Sequence, residues 1–410
     1  MGCAVRRLLP STATPDAPRL IATRAARGFA DGIASVLLAS YLSRLGFTPL
    51  QIGAIATATL FGSALLLLSV GLLGHRFPRR GVLFASAILM CLTGIAFYLA
   101  TDFWALLLVA FVGTLNPSSG DVTLFLPTEQ AVLAEAAAPA DRTALFAWYN
   151  LAGALAGALG ALAAGLPDAL SPASAGQAER GAFLVYAAFG AFSALAYRKL
   201  SPALEPPPAT RAPPLHKSRG VVLQLAALFS VDSFGGGFVV QSILALWLFR
   251  RFDVPVSQAG AIFFAVNVLG AFSQLVSARI AARIGHVRTM VFTHLPSNAF
   301  LLLAGVMPTL PLAAFFLLLR AMLSQMDVPA RQAYVMAMVP REERAAAASV
   351  TNVPRSLAAA VAPLLAGALL QKSAFGWPLV CAGLLKAGYD LVLYVKFAQR
   401  KPLENHPPTC

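Results

Sequence analysis

Apolar stretches, each broken after roughly 20 residues by a short polar segment, recur from Gly28 to Phe397. A helix needs about 20 apolar residues to cross the hydrocarbon core of a bilayer. The stretches are rich in Ala and Leu and lack the strict alternation of a transmembrane barrel. The pattern predicts an all-α membrane protein with twelve transmembrane helices. They fall near residues 25–45, 50–73, 81–101, 103–133, 143–166, 181–199, 220–249, 257–280, 289–307, 311–339, 345–370 and 377–398. An even number of crossings puts both termini on one side.

A polar, proline-rich segment at 200–219 (Pro206, Pro207, Pro208, Pro213, Pro214) divides the spans six and six. The expected organisation is an N-terminal arm at 1–24, one six-helix bundle at 25–199, the linker, a second bundle at 220–398 and a tail at 399–410. The bundles repeat one another. Pro127, Gln130, Arg142, Asn150 and Gly165 recur as Pro329, Gln332, Arg344, Asn352 and Gly367, at a constant offset of about 202. Asp31 is likewise echoed by Asp232. Two pseudo-symmetric halves of the same orientation are parallel repeats, and they place a solute site between them near mid-membrane.

Composition agrees: 58% of residues are hydrophobic and 12% charged, too few to cover the surface of a soluble protein this long. The net charge of +14 does not indicate a nucleic-acid partner. Arg76/Arg79/Arg80, Arg211/Lys217/Arg219 and Arg279/Arg283/Arg288 cluster between spans, as expected of cytoplasmic loops. About 22 of the Lys and Arg residues fall on segments of that side and about 5 on the other, so both termini are expected in the cytoplasm. The Ala- and Arg-rich composition suggests a bacterial inner (plasma) membrane. Residues 1–20 lack the apolar core of a signal peptide. The four cysteines have neither metal-ligand nor disulfide-framework spacing. No cofactor and no metal are expected.

The loop after the second span reads Gly71-Leu72-Leu73-Gly74-His75-Arg76-Phe77-Pro78-Arg79-Arg80. With the span count and the repeat, it resembles the signature of the major facilitator superfamily, although His75 stands where that family has an acid. The resemblance covers nearly the whole chain. It implies alternating access of two bundles, with the first, fourth, seventh and tenth spans lining a central cavity. It also implies that a glycine-proline motif in the fifth span marks proton-antiporting exporters. Here Gly153, Gly157 and Gly160 form a small face, Ala161 replaces the proline, and only Pro363 keeps it in the second half.

Charges deep in a membrane cost at least about 2.5 kcal/mol each and mark candidate function. Asp232, followed by Ser233-Phe234-Gly235-Gly236-Gly237, is the leading proton-coupling candidate, with permanent pairing to a cation such as Arg355 as the structural alternative. Asp31 is the second, with an i,i+4 pair to Arg27 competing. Candidates for the solute cavity are Asn116, Asp121, Asn150, Arg320, Gln325, Asp327, Asn352 and Arg355. Pro117 and Gly120 break the helix beside Asp121. Arg320 can bind an anionic group or neutralise Asp121 or Asp327. Arg76, Glu129, Arg142, Arg283, Arg331 and Arg344 are candidates for ion pairs closing a cytoplasmic gate. Lys386 and Asp390, spaced i,i+4, are expected to satisfy each other.

These features predict a secondary transporter for a small organic solute, proton-coupled and exporting, or else taking up a metabolite or organic anion. Its expected partners are the solute, protons and the lipid bilayer, and the expected state is a monomer. No phosphate-binding loop, nucleophile elbow or metal-binding helix points to an enzyme, and the five histidines are scattered.

Overall fold

Ala- and Leu-rich segments with punctuating Pro and Gly give helices throughout, as the apolar pattern requires. The computed structural model describes residues 10, 12–73, 77–118, 124–138, 141–170, 175–202, 218–340 and 343–400. The first half holds α1 (Ala17–Arg44), α2 (Pro49–Leu73), α3 (Arg79–Leu99), α4 (Phe103–Val112), α5 (Leu126–Glu135), α6 (Arg142–Ala163), α7 (Leu166–Leu170) and α8 (Ala175–Arg198). The second holds α9 (Arg219–Gly237), α10 (Gln241–Phe252), α11 (Val256–Ile284), α12 (His286–Val306), α13 (Leu310–Ser324), α14 (Asp327–Ala337), α15 (Arg344–Lys372) and α16 (Trp377–Phe397).

Among the described residues, ten helices or collinear helix pairs are long and apolar enough to cross a membrane. Adding the charged α1 and the interrupted pair α4/α5 brings the crossings to about twelve. Helix α1 starts at Ala17 rather than near 25, because Leu20 and Thr23 pack into the interior. Local signals set other ends. Thr48 and Gln51 form a reciprocal capping box (Thr48 N to Gln51 Oε1 2.9 Å, Gln51 N to Thr48 Oγ1 3.3 Å) at the start of α2. Asp102 accepts from the backbone N–H of Trp104 (2.9 Å) and Ala105 (3.1 Å) at the start of α4.

Among the described residues, the fourth span leaves helical geometry after Val112, the fifth is interrupted between Ala163 and Leu166, the seventh between Gly237 and Gln241, and the tenth between Ser324 and Asp327. Around them, α3 packs on α8 in the first half and α12 on α16 in the second. Leu92, Trp104, Leu195, Phe272, Phe315 and Leu391 point outward, an apolar exterior suited to lipid.

Lys199 and Ser201, just after α8, meet Arg19 and Asp16 at one end of the bundle, the near end. The halves meet through α2 against α15 and α6 against α11, and their named contacts gather toward the opposite, distal end. Gly53 lies so close to Pro363 that any side chain there would strike its carbonyl, and Gly367 stands in the same relation to Pro49. The pseudo-symmetric contact sets Gly260 of α11 against the Ala161 carbonyl of α6. Hydrogen bonds reinforce this layer: Leu364 N to Thr57 Oγ1 (3.0 Å), Leu50 N to Gln371 Oε1 (3.2 Å) and Val256 N to Asp168 Oδ2 (2.9 Å). Asp168 also accepts from Arg44 at 3.4 Å.

Candidate functional site

Each half buries a network of charged side chains beside its broken spans. In the first half the centre is Glu129 on α5, fully buried. Arg27 on α1 binds both its oxygens, Nη1 to Oε1 at 2.9 Å and Nη2 to Oε2 at 2.5 Å. The Tyr149 and Tyr197 hydroxyls each donate to the same carboxylate at 2.5 Å, and Thr23 at 3.0 Å. The Arg27 guanidinium also lies over the Phe125 ring, 4.0 Å from its centroid. Four elements of the half converge on one carboxylate, leaving neither charge without compensation.

This arrangement corrects two expectations. Arg27 pairs with Glu129 rather than with Asp31 one turn away, because α5 brings a carboxylate squarely onto its guanidinium fork. Glu129 faces the interior of its own half instead of a partner across a gate. Asp31 is buried on the same face of α1, hydrogen-bonded to Asn116, with Arg27 and Arg24 as the nearest positive charges. Asn116 also accepts from Ser118 N (3.1 Å) and Oγ (2.8 Å), closing a turn where α4 has ended. The next carbonyl, Pro117 O, accepts from Ser242 N of α10 at 3.0 Å, so the broken fourth and seventh spans touch across the halves. Asp121 and Arg76 lie outside the described residues.

The second network is larger. Asp232, buried on α9, receives Lys386 Nζ at 2.6 Å and Arg331 Nη1 at 3.3 Å, and His294 Nε2 stands 3.8 Å away. Arg331 also holds Asp327 at 3.1 Å. The other His294 nitrogen, Nδ1, lies 3.0 Å from Asp390, which also accepts from Asn298 Nδ2 at 2.8 Å. His294 thus bridges two carboxylates on different helices. Glycine permits part of this geometry: a side chain at Gly235 would crowd the Lys386 stem as it reaches Asp232.

Again the partners differ from those expected. Lys386 and Asp390 do not satisfy each other: Lys386 takes Asp232, and Asp390 takes His294 and Asn298. Asp232 does not pair with Arg355, whose Nε donates to Ser233 Oγ at 3.0 Å and Nη1 to Asn352 Oδ1 at 3.2 Å. Arg331 is buried among its own half's carboxylates, not at a gate. Gln325 accepts from Gln274 Nε2 at 3.3 Å. Asn150, Asn352, Arg142 and Arg283 are exposed, and Arg344 is half-buried at the start of α15. His294 and Asn298 on α12, and Tyr149 and Tyr197 in the first half, escaped the sequence reading. A histidine midway along an apolar span was the one signal that could have revealed His294.

A third polar set crosses the halves. Gln241 Nε2 donates to Ser35 Oγ at 2.8 Å, and Asn267 Nδ2 donates to Gln241 Oε1 at 3.3 Å. No group of three or more metal-ligating side chains occurs among the described residues.

Comparison with known proteins gives a consistent picture. The model of the Major Facilitator Superfamily matches residues 20–232 and 225–409. An uncharacterized membrane protein of Saccharomyces cerevisiae is 26% identical over 404 residues, covering 89% of this chain and 90% of its own. The crystal structure of a bacterial homologue of the human lysosomal transporter Spinster, inward-facing and unoccupied, superposes with a TM-score of 0.71 at 15% identity, covering 96% of this chain and 98% of its own. That of the nucleoside transporter NupG gives 0.69 at 15% identity, covering 95% and 100%. At such identities the two structures establish the shared fold.

Proposed function

The chain belongs to the Major Facilitator Superfamily, and we propose that it is a proton-coupled secondary transporter exporting a small organic solute by alternating access of its halves. Family and fold point to a multi-pass membrane transporter rather than an enzyme. The observation that carries the coupling is Asp232: a buried carboxylate in a broken span, shared by Lys386, Arg331 and His294 from three other helices. A carboxylate with several exchangeable partners can release one and take a proton when the half rearranges. Asp31 occupies the equivalent place in the first half.

The arginine-rich loops of the sequence support a cytoplasmic near end. The contacts between the halves at the distal end support an inward-facing shape. Export is favoured by the small face of α6 and by Pro363, which lies directly in the distal seal. The same cycle run in reverse would serve uptake.

The test is proton movement in liposomes containing the purified protein and a trapped pH dye, with a panel of cationic, neutral and anionic solutes. We expect one class to evoke proton flux in the wild type and Asp232→Asn to abolish it. Full proton-driven flux in Asp232→Asn would reduce Asp232 to a structural charge. Solute movement without proton movement would make the protein a uniporter.

A further inference from the structure

Two deep arginines are left over when the charges of the second half are paired. Among the described residues, its cations well inside the spans are Arg320, Arg331, Arg355 and Lys386, and the carboxylates there are Asp232, Asp327 and Asp390. Lys386 and Arg331 take Asp232, Arg331 also takes Asp327, and His294 and Asn298 take Asp390. Arg355 reaches only the neutral oxygens of Ser233 and Asn352. Arg320 has a buried Nε without a hydrogen-bond partner among the described residues, and only its backbone carbonyl is engaged, by Ser297 at 3.4 Å.

Both arginines lie well inside their spans. Arg320 is ten residues into α13 from the distal end, and Arg355 eleven residues into α15 from the near end. At 1.5 Å per residue each lies about 15–17 Å along its helix, in the middle stretch of a span that crosses a core about 30 Å thick. Arg355 is bonded to Ser233, next in the chain to Asp232, and the Arg320 carbonyl to Ser297, one turn along α12 from the His294 that stands 3.8 Å from Asp232, so both border the Asp232 network. A guanidinium in the membrane interior without a carboxylate is costly, and its planar fork matches an oxyanion.

We propose that Arg320 and Arg355 form an oxyanion-binding site at mid-membrane, and that the transported solute carries a carboxylate or phosphate group. This rests on the transport reading but not on its direction. Arg355 already spends two donors on Ser233 and Asn352, which fix the guanidinium plane, and keeps others for the ligand. Arg320 brings a full fork. The anion would lie beside Asp232, so the bound negative charge and a proton on that acid act on one another directly.

The experiment uses purified full-length protein in detergent and follows thermal unfolding. The probes are aryl and alkyl carboxylates and phosphate monoesters, inorganic phosphate, and the neutral amide or alcohol matching each organic probe. We expect saturable stabilisation by oxyanion members only. Arg320→Gln and Arg355→Gln should each weaken it about 10- to 100-fold, the loss of one charge-assisted contact, and Arg320→Lys should weaken it less. Equal stabilisation by the neutral partners, unchanged affinity in both glutamine variants, or no stabilisation by any oxyanion would each overturn the site. If Arg320→Gln fails to fold and Asp121→Asn restores it, Arg320 is the partner of Asp121 and the site is likewise overturned. Flux in liposomes separates this from the transport reading. Solutes moving equally in wild type and Arg320→Gln remove the anion site and keep transport, whereas no flux of any solute in the wild type removes transport itself.

Discussion

Arg27 and Glu129 are more than 100 positions apart in sequence and in contact at 2.5 Å. In a medium that solvates neither ion, removing one leaves the other uncompensated, which costs about 3–5 kcal/mol for a buried pair. Glu129→Gln should therefore lower the unfolding free energy of the purified protein by about that amount, and adding Arg27→Gln should recover much of it. Equal losses for single and double variants in a denaturant titration would mean that the tyrosines, not the ion pair, hold the cluster. In the second half, Lys386→Met should leave Asp232 to Arg331 and His294. We expect it to slow proton-driven flux about 10-fold or more, the effect of losing one strong charge-assisted bond, and Lys386→Arg, which keeps the charge, to slow it less in the pH-dye assay. At this scale the sequence discloses which residues matter but not whom they meet. The rarity of charge in apolar spans picks out Glu129, Asp232, Arg331, Lys386 and Asp390. The i,i+4 rule then pairs Lys386 with Asp390 and Arg27 with Asp31, because it sees only one helix, whereas helix packing supplies closer partners from other spans.

Helix breaks were more legible than partners. Proline and glycine at Asn116–Asp121 and the triple glycine after Phe234 signal interruption, and the described parts of both spans leave helical geometry there. What was not legible is the use of the freed backbone: Pro117 O accepts from Ser242 N, joining two broken spans from opposite halves. The start of α1 was placed too late because Arg19 and Arg24 read as a solvated arm, while packing against the rest of the half buries that turn. The interface helices carry a sharper prediction. Gly53 and Gly367 let α2 and α15 approach until a β-carbon on either would overlap the facing backbone. Gly367→Val should push the helices apart and shift the protein from the distally sealed shape toward the open one. The check is thiol labelling, from the distal side, of a cysteine replacing the buried Leu370, which should rise several-fold in rate. An unchanged rate would mean that the seal depends on the polar contacts alone.

For the whole molecule, the offset of about 202 residues between halves announces the pseudo-symmetry, and the packing expresses it. Gly53 meets Pro363 as Gly260 meets Ala161, so the two interfaces are versions of one contact. The conformation had no such signature. Which end is sealed depends on small free-energy differences between two packings of one sequence, and no single residue encodes them. Alternating access requires the distal layer to part in every cycle. Leu50 and Gln371 are exposed on either side of that layer and joined by one hydrogen bond of 3.2 Å. Replacing both by cysteine and joining them with a short, reducible thiol cross-linker should hold the distal end shut. Solute counterflow should then fall in proportion to the cross-linked fraction and return on reduction, while solute binding from the near end persists. Undiminished counterflow in fully cross-linked protein would show that the solute passes without the halves separating there, and the rocking of two bundles would no longer account for transport.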